Sequence, residues 1–145
     1  MLTVAELLAG KSERVVSIGG EASVLEAAKL MNQHRIGAVV VTRGDEVVGI
    51  FTERDVLNRV VAAQRDPAAL SVMEAMTTPV ACCTLATTLE ECRVVMSEKR
   101  IRHLPVVEDN RLKGMISIGD ILKTKSAQQQ ETIRYLHEYL YGGTR

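Results

Sequence analysis

Gly49-Ile50-Phe51-Thr52-Glu53-Arg54-Asp55 and Gly114-Met115-Ile116-Ser117-Ile118-Gly119-Asp120 decide how this chain is read. Each heptapeptide is a glycine, two apolar residues, a hydroxyl residue, two variable positions and an aspartate. They stand 65 positions apart, and the same spacing runs upstream of them. Glu26, Met31, Arg35, Ile36 and Val41 recur as Glu91, Met96, Arg100, Ile101 and Val106, and just downstream Leu57 recurs as Leu122. Other pairs exchange one apolar residue for another, among them Val24 with Leu89 and Val39 with Leu104. Further upstream, Thr3-Val4-Ala5-Glu6 echoes Ser71-Val72-Met73-Glu74 at a spacing of 68. A repeat at fixed spacing means that one supersecondary unit is used twice. The two copies run over 1–65 and 66–125, and residues 126–145 form a C-terminal extension.

The first copy gives the order of elements. Val15–Ile18 is a short β-rich run. Ser23-Val24-Leu25-Glu26 has the form of a capping box, and Val24, Ala27, Ala28 and Met31 follow at helical spacing. Gly37 closes that helical region. Ala38–Val41 and Glu46–Phe51 read as the strands of a hairpin around Arg43-Gly44-Asp45. Thr52 then opens a helix reaching about Ala63. The second copy repeats the order, with Thr88-Leu89-Glu90-Glu91 as its capping box and Glu108-Asp109-Asn110 as its turn. The expected fold is α/β in the broad sense (α+β): two β-α-β-β-α repeats packed pseudo-symmetrically, because each small sheet has a face that only the other copy can cover.

Bulk composition narrows the function. Lys plus Arg and Asp plus Glu both number 18, so there is no cationic excess to hold nucleic acid. No run approaches the roughly 20 apolar residues of a membrane helix. The N-terminus lacks the basic and long apolar regions of a signal peptide. Three cysteines, Cys82, Cys83 and Cys92, do not make a disulfide framework, so a reducing cytoplasm is the expected compartment.

The chemistry of the heptapeptides can be argued from residue types. A strand that ends at Thr52 or Ser117 and turns into a helix presents helix-start N–H groups, which favour an anion such as phosphate. The hydroxyl can donate to a phosphate or ribose oxygen. An ionised aspartate only accepts hydrogen bonds, which suits the two hydroxyls of a ribose. Gly49 and Gly114 permit close backbone approach. Against this, Thr52-x-x-Asp55 and Ser117-x-x-Asp120 also have the form of capping boxes, and a cap needs no ligand. Their duplication behind a glycine favours the ligand reading, and one hydroxyl can serve both.

With two such signatures in a duplicated unit of about 60 residues, the chain resembles the cystathionine-β-synthase (CBS) domain family, over about residues 1–125. Val72-Met73-Glu74-Ala75-Met76 and Ile101-Arg102-His103-Leu104-Pro105-Val106 add to the likeness. The resemblance implies two clefts between the repeats that bind adenosine compounds: AMP, ADP, ATP or NAD, and behind them S-adenosylmethionine. By the same resemblance Asp55 and Asp120 match the ribose-binding aspartate, and Thr52 and Ser117 the hydroxyl that contacts ribose or phosphate. Adenine would lie against backbone at Ser17-Ile18, Gly37-Ala38, Cys82-Cys83 and Arg102-His103, beside Pro105. Arg102, His103 and Arg54 are the candidates for phosphate contact. The first copy has Ile36-Gly37-Ala38-Val39-Val40 where the second has the basic pair and the proline, so the two clefts should differ.

Three functional classes follow. The leading expectation is a nucleotide-responsive regulator with no catalysis and no metal. No catalytic or transporter segment accompanies the repeats, so it would act in trans as a homodimer, with a protein partner still to be identified. The second is a ligand-free adaptor whose Thr/Ser-x-x-Asp motifs are only caps. The third is a thiol enzyme using Cys82 or Cys83, for which no paired base stands at a recognisable spacing. Ala127–Tyr141 reads as a helix with an apolar stripe of Ile133, Leu136 and Leu140, packed on its own module or on a partner.

Overall fold

The computed structural model describes residues 2–11 and 14–126, so the helix expected over 127–141 lies outside the described residues. Element order is α1 (Val4–Ala9), β1 (Ser17–Gly19), α2 (Val24–His34), β2 (Ala38–Arg43), β3 (Glu46–Thr52) and α3 (Glu53–Asp55), which runs on as π-helical turns over Val56–Val61. The second half continues with α4 (Val72–Ala75), α5 (Leu89–Lys99), β4 (His103–Glu108), β5 (Arg111–Ser117) and α6 (Ile118–Ser126). Elements α2 and α5, β2 and β4, and β3 and β5 begin and end 65 residues apart. The fold is mixed α/β, with the duplicated unit that the sequence repeat predicts.

Local chemistry explains most boundaries. Ser23 and Thr88 cap α2 and α5 through complete capping boxes with Glu26 and Glu91. Both helices end in a left-handed residue, Arg35 and Arg100, at φ 54° and ψ 46°. Gly37 is therefore not the terminator. Instead the N–H of Ile36 donates to the carbonyl of Met31 at 3.0 Å, and that of Ile101 to Met96 at 2.9 Å. This six-to-one closure is the Schellman arrangement, with Ile36 and Ile101 packed on the two cores. It accounts for three of the repeated identities (Met, Arg, Ile) at once. In the second hairpin Asp109 and Asn110 both have positive φ, as a two-residue mirror-image turn demands.

The sheets are nearly equivalent. In the first, β1 pairs parallel with β2, and β2 antiparallel with β3. In the second, β4 pairs with β5, and the counterpart of β1 shrinks to a single bridge between Cys83 and Val106. The cause is Pro105. Its counterpart Val40 donates its N–H to Val16 at 3.4 Å, and a proline has no N–H to give.

The opening helices are exchanged between the cores. Val4 of α1 is buried with Cys92, Leu104 and Ile116 of the second repeat. Val72 and Ala75 of α4 are buried with Val24, Val39 and Phe51 of the first. Backbone bonds fix both placements: Val4 N–H to Thr87 and Val72 N–H to Ala22, each 2.8 Å. Burying apolar surface at ~25 cal/mol per Å² makes each core depend on a segment from the other repeat.

Candidate functional site

The two strand-to-helix corners are built alike. Ala38 pairs with Thr52, and His103 with Ser117. The first helical N–H of each corner is taken by backbone: Glu53 donates to the Gly37 carbonyl at 3.0 Å and Ile118 to the Arg102 carbonyl at 2.9 Å. The third is taken by the capping hydroxyl: Asp55 N–H donates to Thr52 Oγ1 at 3.3 Å and Asp120 N–H to Ser117 Oγ at 3.1 Å. Each aspartate answers by accepting the N–H of its own Thr52 or Ser117, at 3.0 and 2.9 Å. Both motifs are thus capping boxes in fact as well as form.

What reaches the outer side of each carboxylate comes from the exchanged segments. The glycines allow it. A Cβ on Gly49 would lie 2.4 Å from the Met76 sulfur and 3.0 Å from the Thr77 carbonyl, and one on Gly114 would lie 2.9 Å from both Leu8 methyls. The chain's own opening segments fill the space those glycines leave. Over the first corner, Ile50 and Thr77 exchange backbone hydrogen bonds at 3.1 and 2.8 Å. Thr77 Oγ1 then donates to Asp55 Oδ1 at 2.9 Å, and Arg59, one turn on, approaches the same oxygen at 3.6 Å. Asp55 is 4% exposed. Over the second corner, Leu8 seats α1 on β5 and Gly10 ends the helix. Lys11 emerges there, its Nζ donating to the Met115 carbonyl at 3.0 Å and to Asp120 Oδ2 at 2.9 Å.

Beside Asp120 a cavity of about 420 Å³ opens, lined by Leu2, Glu6, Leu7, Gly10, Lys11, Asp120, Lys123 and Thr124. That volume falls within the range of about 300–1,000 Å³ usual for small-molecule sites. A second cavity, of about 480 Å³, is lined by Ala28, Met31, Asn32, Arg35, Ile36, Glu53 and Val56 and reaches neither aspartate. Of the candidate ligand-binding residues named from the sequence, Asp120 lines the first cavity and none lines the second. Gly37 and Ala38 meet the first corner, through the Glu53 N–H and the pairing with Thr52, whereas Ser17 and Ile18 pair with Val40 and Val41 further along β2. Arg54 and Arg102 are exposed, whereas Pro105 is buried and accepts the Cys83 N–H at 2.9 Å. Cys82 is exposed, with its thiol toward the Val80 carbonyl at 3.7 Å.

Electrostatics tie the corners together. Burial would raise the Asp120 pKa, but the Lys11 hydrogen bond, the Ser117 N–H bond and the Lys11 charge outweigh it and hold the carboxyl below its ordinary value. His103 is pushed below 6.5 by burial; Asp120 and Glu53 pull it up, while Lys11 and Arg102 push it down. It therefore senses both corners, Glu53 belonging to the first. Burial pushes the Cys83 thiol up to about 12, with a smaller push from Cys92. Burial also raises Cys82 and Cys92.

Sequence reasoning did not find Lys11, Thr77 or Arg59. Arg59 was findable, because it stands one helical turn after Asp55. Lys11 and Thr77 were not, because each serves the aspartate of the other repeat and no local spacing links them.

Comparison with known proteins agrees with this architecture. The family model described as the CBS domain matches twice, over residues 4–62 and 72–126. The mitochondrial CBS domain-containing protein CBSX3 of Arabidopsis thaliana is 34% identical over 126 residues, which is 83% of this chain and 61% of that protein. The chain thus spans less than two thirds of that relative. A putative signal-transduction protein with CBS domains from Burkholderia ambifaria superposes with a TM-score of 0.83 at 39% identity, covering 88% of this chain and 96% of that one. The CBS domain protein PAE2072 from Pyrobaculum aerophilum, solved as a complex with AMP, superposes with a TM-score of 0.73 at 27% identity, covering 82% and 89%. Two matched repeats, the twin corners and these likenesses lead to one conclusion: the chain belongs to the CBS domain family.

Proposed function

We propose that this chain is an adenine-nucleotide-responsive regulatory module that acts on another protein, works as a homodimer in the cytoplasm and performs no catalytic step. The observation that carries this reading is the cavity beside Asp120: a carboxylate able to accept ribose hydroxyls and a lysine ammonium meet in a hollow of nucleotide size. The AMP complex of the Pyrobaculum relative supports adenosine as the ligand class, with AMP, ADP, ATP and NAD as the compounds to try. Leu57 and Leu122 support the homodimer. They occupy equivalent places on the last helix of each repeat and are strongly exposed, as Val61 is. A twice-repeated apolar face suits a second copy across a two-fold axis. Thiol catalysis is disfavoured, because burial raises all three cysteines, which works against the thiolate a nucleophile needs.

A thermal-shift series with AMP, ADP, ATP, NAD, NADH and S-adenosylmethionine tests the reading. A ligand at 100 times its Kd stabilises a single-site binder by about 2.7 kcal/mol. Asp120→Ala should remove the shift. One observation favours the adaptor alternative in the first repeat: both Asp55 oxygens are already occupied by the protein itself. If none of the six compounds moves the melting temperature, the adaptor reading replaces the sensor. Light scattering tests the dimer, which Leu57→Glu combined with Leu122→Glu should split.

A further inference from the structure

We propose that the module takes one nucleotide per chain, in the Asp120 cleft alone, and that Lys11 makes this cleft demand a ligand with a phosphate. The proposal rests on the nucleotide-binding reading above and adds to it a stoichiometry and a ligand class.

The two aspartates look interchangeable in sequence, but their surroundings differ in kind. Asp55 Oδ2 accepts from the Thr52 N–H and Oγ1 at 3.0 and 3.2 Å, and its Oδ1 accepts from Thr77 at 2.9 Å with Arg59 at 3.6 Å. Its side chain is 5% exposed. A ribose could reach it only by displacing Thr77, whose backbone is paired with Ile50 in both directions. Such a displacement leaves buried polar groups without partners. Asp120 differs on each count. Its Oδ2 carries the Ser117 N–H and Lys11, and among the described residues its Oδ1 has no hydrogen-bond partner. Its side chain is 18% exposed and lines the 420 Å³ cavity.

Lys11 then decides what the open cleft accepts. A carboxylate that takes ribose hydroxyls repels a phosphate nearby, so a cleft for a phosphorylated nucleoside needs a cation between the two. Lys11 holds that position, anchored by the Met115 carbonyl and Asp120 Oδ2. An ammonium has three donors, and these bonds use two. The third, on a side chain that lines the cavity, is available to a phosphate oxygen. At the first corner the equivalent segment supplies the neutral Thr77, which closes the site it touches, and the cation there, Arg59, donates to the Met76 carbonyl at 2.6 Å and stands 3.6 Å from Asp55.

Isothermal titration calorimetry of the full chain with AMP and with adenosine tests both statements. The expected result is one AMP per chain, adenosine at least about tenfold weaker, and near-equal affinities for the two in Lys11→Met, since a hydrogen bond between charged groups accounts for a difference of that order. Lys11→Arg, which keeps the charge, should restore the gap. Two AMP sites per wild-type chain overturn the stoichiometry, and this measurement needs no variant to fold. An AMP–adenosine gap that survives in Lys11→Met overturns the role of Lys11. In both of those results the nucleotide reading stands while this inference falls. If neither AMP nor adenosine binds the wild-type chain, this inference falls, and the nucleotide reading falls with it only when ADP, ATP, NAD, NADH and S-adenosylmethionine also leave the melting temperature unmoved.

Discussion

The backbone N–H of Val4 donates to the carbonyl of Thr87 at 2.8 Å, joining the start of the first repeat to the core of the second. Val72 and Ala22 make the reciprocal bond at the same distance. The repeats are therefore not two units placed side by side. Each contributes the helix that closes the other's core, and each sends the second residue beyond that helix to the other's aspartate: Lys11 to Asp120, and Thr77 to Asp55. Any perturbation of an opening segment should be felt in the opposite half.

Val4→Ala should show this. Val4 is fully buried in the cluster that holds Cys83 and Cys92. Removing its two methyl groups should destabilise by about 1.5–3 kcal/mol and speed the reaction of Cys92 with a thiol reagent. Val72→Ala, in the other core, should cost a similar amount and leave Cys92 less affected. Equal labelling of Cys92 in the two variants would argue against the exchange as a determinant of local stability.

Gly49→Ala and Gly114→Ala should both destabilise, the first more. The new methyl group at Gly49 meets the Thr77 backbone carbonyl at 3.0 Å as well as the Met76 side chain, and backbone paired with β3 cannot move aside easily. At Gly114 its three nearest neighbours are side-chain atoms of Leu8, the two methyl groups at 2.9 Å. Overpacking of this kind costs about 1–3 kcal/mol. Urea denaturation of the two variants gives the order.

Stability should fall as the pH drops below neutrality, and His103 should be a cause. Its folded pKa lies below the usual 6.5 because of burial, with Asp120 and Glu53 opposing the shift and Lys11 and Arg102 adding to it. Between the folded and unfolded values the unfolded chain binds a proton that the folded chain does not. Acidification through that window therefore favours unfolding. Asp120, whose folded pKa is also lowered, adds stability above its usual 3.8 that is lost in more acidic solution. Melting curves from about pH 7.5 to 5.5 should show a decline that His103→Gln reduces, since the window centres on the histidine range. An unchanged profile in that variant would assign the decline elsewhere.

Arg100→Gly should stabilise the protein by about 1 kcal/mol, because a side chain in the left-handed region carries a strain that glycine lacks. The hydrogen bond from Ile101 to Met96 that closes the helix is untouched by the change. A lower unfolding midpoint in Arg100→Gly would mean that the arginine side chain contributes more than its backbone costs.

Much of this fold was legible in the chain alone, because its signals are local. Capping boxes, apolar stripes, turn residues and the 65-residue spacing depend on neighbours within a few positions, and the helices and hairpins appear where those signals stand. Gly37 misled as a helix terminator because a Schellman closure can accept Arg35 at a cost of about 1–2 kcal/mol when Ile36 packs on the core. The second β1 was lost for a reason visible only once strands are paired: Pro105 has no N–H to offer a neighbour.

The residue pattern by itself determined that the unit is duplicated, where its capped helices and its hairpins begin, and that two hydroxyl–aspartate caps stand at matching corners. Tertiary structure alone decided that the opening helices cross over, that Thr77 closes the Asp55 corner, and that Lys11 leaves a hollow beside Asp120. The physical reason is distance along the chain. Caps and turns are settled by groups three or four residues apart, whereas Lys11 and Asp120 meet across 109 positions because two cores each had apolar surface that only the other repeat could bury.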